Sequence, residues 1–174
     1  MDLFNTNVVG NIHLFNAFMP LVLKGNVKKV ATISTGLADQ ELAIKYGIYE
    51  AAPYSISKAA MNMTTVKFQA EYQKDGVLFL SLSPGSVNTG QYDERMYPFF
   101  WCTQFMADRV IVSEEQQKGF AIMGGKFMEY APHFKGPISV EESVESLMNV
   151  VNNASLEKGD AGAFLSHLGN KSWL

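Results

Sequence analysis

Apolar residues follow two spacings along this chain, and each switch between them marks an element. Over residues 3 to 23, Val8, Ile12, Phe15, Ala17, Phe18 and Leu21 recur at three or four positions, the spacing of one helix face, and Lys24-Gly25 supplies a stop. Val27 to Ser34 is short and apolar and runs into the turn-prone Thr35-Gly36, which predicts a buried strand. Residues 36 to 52 hold no sustained period and are expected to form a loop or irregular connector ending in Tyr46, Ile48 and Tyr49. A second helix is predicted over about 53 to 74, with Pro53 in its first turn and Asp75-Gly76 at its end. Its predicted buried face is Ile56, Ala59, Ala60, Met63, Val66 and Ala70.

Val77 to Leu82 is an apolar strand leading straight into Ser83-Pro84-Gly85-Ser86-Val87-Asn88-Thr89-Gly90. Ser139-Val140-Glu141-Glu142 has the form of a capping box and opens a helix to about Asn153. Lys158-Gly159-Asp160 turns the chain into a last short strand, Ala163 to Ser166. Helices alternating with short apolar strands predict an α/β class, a partial Rossmann-like fold with a short parallel sheet of about three strands and flanking helices, in one domain over residues 1–174. Two of the strands deliver small-residue loops at their carboxyl ends, where open parallel sheets place their ligands.

Residues 91 to 135 differ from the rest. They concentrate Tyr92, Tyr97, Phe99, Phe100, Trp101, Phe105, Phe120, Phe127, Tyr130 and Phe134, together with several methionines. Such a stretch suits either a lid over a flat apolar ligand or additional core and subunit interface. The overall balance of 47% hydrophobic and 18% charged residues is that of an ordinary globule. With a net charge of -3 and no basic run longer than Lys28-Lys29, nothing predicts nucleic-acid binding. Cys102 is the single cysteine, which excludes an internal disulfide and a cysteine-cluster metal site, and no metal is expected. The first residues lack the charged start and apolar run of a signal peptide, and no apolar stretch is long enough to span a bilayer. A cytoplasmic protein without a membrane partner is the expectation.

Candidate chemistry centres on Tyr54 and Lys58. Four residues apart on a helix, they share a face, so the ammonium is expected near the phenol, where it favours the ionised form. That would make a proton donor or acceptor usable near neutral pH. Such a pair arises readily by chance, so its surroundings must carry the weight.

Those surroundings resemble the short-chain dehydrogenases/reductases. The similarity rests on Thr6-Asn7-Val8-Val9-Gly10 on the first helix, Ile33-Ser34-Thr35-Gly36 at a strand end, Tyr54-Ser55-Ile56-Ser57-Lys58-Ala59-Ala60, and Ser83-Pro84-Gly85-Ser86-Val87-Asn88-Thr89. The four motifs stand in the family's order over residues 6 to 89, the resemblance spans nearly the whole chain, and the sequence looks closest to fungal ketoreductase-like members. The resemblance implies that Tyr54 exchanges a proton with the substrate oxygen. It implies that Lys58 lowers the tyrosine pKa and holds the nicotinamide ribose, that Thr35 hydrogen-bonds the substrate oxygen with Ser34 as an alternative, and that Asn7 holds a relay water. Pro84, Gly85, Val87 and Thr89 match the segment that flanks the nicotinamide. Ser34, Tyr92, Tyr97 and Trp101 are the expected substrate contacts.

The family's nucleotide-binding segment has no counterpart before Asn7. No two of the 14 glycines stand two or four apart, so neither Gly-x-Gly-x-x-Gly nor Gly-x-x-x-Gly occurs. Gly119 to Lys126 is no better as a phosphate loop, because Phe127 stands where Ser or Thr is required. The expectation is therefore an enzyme that retains the catalytic half and binds no cofactor, with NADP as the alternative. Its expected work is acid-base chemistry without hydride transfer (isomerisation, dehydration or cyclisation) on a carbonyl or phenol of a small aromatic or polyketide-like metabolite. An NAD(P)H-dependent ketoreductase completed by dimerisation and a non-catalytic binding remnant are the alternatives. A homodimer is expected, through the free strand edge or the two long helices.

Overall fold

The computed structural model describes residues 2–89 and 114–174, so Tyr92, Tyr97 and Trp101, with the greater part of the aromatic stretch, lie outside the described residues. The chain opens with a single turn, Asp2–Phe4, and a π-helical segment, Asn5–Val9, which continue into helix α1, Gly10–Lys24. Strand β1, Lys29–Ile33, is followed by a short 3-10 turn at Gly36–Ala38 and by helices α2, Gln40–Lys45, and α3, Ala52–Tyr72. Then come β2, Leu78–Ser83, α4, Glu114–Tyr130, α5, Val140–Asn153, and β3, Phe164–Ser166. The strands form one parallel sheet in the order β1-β2-β3, with Val30 opposite Phe79 and Leu82 opposite Leu165. The predicted α/β class and three-stranded parallel sheet are what the described residues form.

β2 is the centre of the molecule, buried along its whole length, as a parallel strand covered on both faces must be. Its alternation sorts two cores. Val77 and Phe79 pack with Phe15, Met19 and Met61 beneath α1 and α3, while Leu78, Leu80 and Leu82 pack with Ala154 and, around it, Leu147, Val150 and Val151 of α5. A third cluster joins Leu42 and Ile48 to Met123 of α4 and to Trp173, whose ring stacks on Phe164 at 4.4 Å and covers Gly36. A Cβ on Gly36 would lie 2.5 Å from that of Trp173, so the turn after β1 requires glycine there.

Several expected details are corrected by packing. The connector over 36 to 52 is not irregular: α2 forms within it, started by Asp39, whose Oδ1 accepts from Leu42 N at 2.9 Å. Six residues are too few to show a period, so the cap was its only local signal. On α3 the face turned inward is Ser57, Met61, Thr65 and Gln69, whereas Ile56, Met63, Val66 and Ala70 are exposed. The reason is polar. Thr65 Oγ1 shares a hydrogen bond of 3.1 Å with Thr32, and Gln69 donates to Val77 O and accepts from Phe79 N, so the helix is tied to the sheet by side chains that a hydrophobic pattern ignores. On α1, Phe15 and Met19 are buried, while Phe18 and Leu21 face outward. β1 is only partly buried, with Ile33 52% exposed, because no described strand pairs with its outer edge.

Candidate active site

The Tyr54 motif stands at the start of α3. Ala51, the cap residue, takes a left-handed backbone (φ 53, ψ 30) and supplies no side-chain cap, and Pro53 follows within the first turn. Tyr54 therefore sits where the helix has least help from its own hydrogen bonds. Ser57 compensates. Its hydroxyl donates to Tyr54 O at 2.7 Å and accepts from Asn7 Nδ2 at 2.9 Å, which joins the first turn of α3 to the π-helical segment. Asn11 Nδ2 donates to Asn7 O at 2.9 Å and to Thr6 O at 3.3 Å, taking up carbonyls that the wider π turn leaves over. The Asn7 amide is thus engaged by Ser57.

At the carboxyl end of β1, Thr35 caps the 3-10 turn by accepting from Leu37 N at 3.3 Å, and its hydroxyl stands close enough to the Tyr54 phenol to lower its pKa. Of the two hydroxyls at this strand end, the one that acts on the Tyr54 phenol is that of Thr35. Ser34 is buried, and its Oγ has no partner among the described residues. Lys58 lies one turn beyond Tyr54. Its Nζ donates to Ile33 O at 2.8 Å and stands 5.9 Å from the centre of the Tyr54 ring.

The electrostatics reverse one expectation. Burial pushes the Tyr54 phenol above its ordinary pKa of 10.0, and the hydrogen bond from Thr35, which favours the phenolate, only partly offsets it. Burial also lowers the Lys58 pKa. The expected lowering of the tyrosine by the lysine does not prevail, because desolvation of the phenol dominates. Tyr54 is a protonated phenol at neutral pH.

The loop after β2 forms the other wall. Gly36 N donates to Ser83 Oγ at 3.2 Å, tying the two strand ends together, and Ser143 Oγ of α5 donates to Pro84 O at 2.8 Å. Gly85 has φ 76, and a Cβ there would lie 2.6 Å from the His167 ring, so glycine is required twice over. Val87 bridges Ile138, while Thr89 is exposed at the last described position of the loop. His167 was not singled out from the sequence; its ring packs against Gly85 from beyond β3, a juxtaposition with no local signal. Burial lowers its pKa, with Glu142 acting in the opposite sense. Among the described residues, no cluster of three or more His, Cys, Asp or Glu could hold a metal ion, and no helix is long and apolar enough to cross a membrane.

Tyr54 and Lys58 at the start of α3 thus stand beside Ser34 and Thr35 at the carboxyl end of β1. A family model described as short chain dehydrogenase matches residues 1–96, and the chain belongs to the short-chain dehydrogenase/reductase family. It is 46% identical over 171 residues to the short chain dehydrogenase virK of Hypocrea virens and 45% identical over 172 residues to the short-chain dehydrogenase/reductase iacC of Pestalotiopsis fici. These alignments cover 98% and 99% of this chain and 57% of each relative, so the chain spans a little over half the length of the curated relatives it matches. Among solved structures, an NADPH-bound carbonyl reductase from chicken fatty liver superposes with a TM-score of 0.63 at 22% identity, covering 96% of this chain and 54% of that one. The carbonyl reductase Sniffer of Drosophila melanogaster gives 0.61 at 19% identity, with the same coverage. Both likenesses are to the fold.

Proposed function

We propose that the chain carries the proton-donating side of a carbonyl reductase acting on a ketone of a small aromatic or polyketide-like metabolite. The observation that carries this is Tyr54 itself, a half-buried phenol beside the Thr35 hydroxyl, whose pKa burial raises above the ordinary tyrosine value. A protonated phenol is a general acid, suited to a carbonyl oxygen that gains negative charge during reduction. Tyr54 donates its proton to that oxygen, and Thr35 steadies both the oxygen and the phenolate left behind. Lys58, anchored on Ile33 O, places a positive charge one helical turn from the phenol, and Ser57 holds the turn against Asn7.

The described residues fit the nicotinamide end of a dinucleotide. The hydroxyls of Ser34 and Ser86, one beyond each strand end, are buried without a partner among the described residues, and such groups favour a polar ligand. Lys58 and the Pro84-to-Thr89 loop would hold that end, and the bound cofactor would supply the hydride. Saturable NADPH binding, followed by fluorescence, is expected with the 174-residue chain. Its reduction rate is expected to stay level through neutral pH and to fall only as pH rises past Tyr54's pKa, above 10.0. Absence of NADPH binding, together with ketone-dependent proton exchange that accelerates as pH rises, would instead favour the hydride-free acid-base alternative.

The proposal includes association of two chains through the outward faces of α1 and α3, where Phe18, Leu21, Ile56 and Met63 are each more than half exposed. A light-scattering mass of twice 19.3 kDa at micromolar concentration is the expected result, and a mass of one chain would exclude the association.

A further inference from the structure

Glu50 is a buried carboxylate that the chemistry above does not use. Its side chain is 5% exposed, and Lys126 of α4 reaches it, with Nζ 2.7 Å from Oε1. Oε2 accepts from Tyr49 N at 3.1 Å. Lys126 also donates to Gly47 O and lies 4.1 Å from the centre of the Tyr49 ring. One lysine side chain thus clasps three points of the segment that leads into α3.

The next residue, Ala51, holds the single positive φ of a non-glycine among the described residues. An L-residue in that conformation is strained, and the strain persists only where the surroundings overdetermine it. Ala51 has no side-chain cap to offer α3, and Tyr54 stands three residues further on. A buried ion pair is a poor source of stability, because desolvation offsets attraction, but it is effective at holding one arrangement against others.

We propose that the Glu50–Lys126 pair is a latch that holds the left-handed turn at Ala51 and thereby positions Tyr54, so that the seating of α4 and the competence of the phenol are coupled. Both are positioning residues, and the proposal rests on the acid role given to Tyr54.

The test is an alkaline ultraviolet titration of the full chain, with the Tyr54 component isolated by subtracting a Tyr54→Phe control. Glu50→Gln and Lys126→Met are each expected to move the Tyr54 midpoint down towards that of an ordinary tyrosine, as a loosened turn admits water. The double variant is expected to shift no further than the larger single shift, and Lys126→Arg to retain most of the native midpoint. Where a single variant fails to fold, the double variant, which leaves no orphan charge, gives the same readout. A native midpoint in a folded double variant, even with a lowered melting temperature, would overturn the latch. The readout requires neither NADPH nor turnover, so failure of the latch is distinct from failure of the reductase proposal.

Discussion

Replacing Tyr54 by phenylalanine is expected to slow ketone reduction about 10²- to 10⁴-fold, the range supplied by a positioned general acid. The substitution removes one oxygen from a site that is otherwise held by the main chain. Thr35 keeps its hydrogen bond from Leu37 N, Lys58 keeps Ile33 O, and Ser57 keeps both Tyr54 O and Asn7. Folding is therefore expected to survive, with a melting temperature close to that of the parent. The check is steady-state kinetics beside thermal melting, and unchanged turnover in a folded Tyr54→Phe variant would remove Tyr54 from the chemistry.

Phe79→Ala is expected to have the largest effect on stability, a loss of about 3–5 kcal/mol. Phe79 is fully buried on the central strand, with its ring 5.6 Å from Phe15, 5.8 Å from Phe68 and 6.3 Å from Tyr72, so the cavity left behind opens where two helices and the sheet meet. Against a total stability of roughly 5–15 kcal/mol for a domain, that is a large share. Urea unfolding is expected to show a lowered midpoint with little change in slope. A loss below about 1 kcal/mol would mean that neighbouring rings close over the gap.

Much of the fold was legible because its signals are local. The apolar run of β2, the Ser139 cap of α5, whose Oγ accepts from Glu142 N, and the end of α3 near Gly76 each depend on residues within one or two turns. The order of the motifs likewise pointed to Asn7, Thr35, Tyr54 and Lys58, and α3 and the β1 end bring the last three together. What escaped was whatever depends on distant partners. The inward face of α3 was misread because Thr65 and Gln69 earn burial through hydrogen bonds to β1 and β2, not through hydrophobicity. The direction of the Tyr54 shift was misread because spacing along a helix does not say that Lys58 is engaged by Ile33 O or how deeply the phenol is buried. Glu50 and Lys126, 76 residues apart, carry no local signal of the pair that the fold sets 2.7 Å apart.

The sequence by itself determined the class of architecture and the placing of small-residue loops at strand ends, since periodicity, caps and glycine positions act over a few bonds, while its resemblance to a family named the candidate proton-handling side chains. Only the tertiary structure decided which side chains α3 turns towards the sheet, how far the Tyr54 phenol is desolvated and which charges meet beside its helix start. Those outcomes depend on desolvation and on hydrogen bonds between segments far apart in the chain, which come into being only when the sheet and helices close around them.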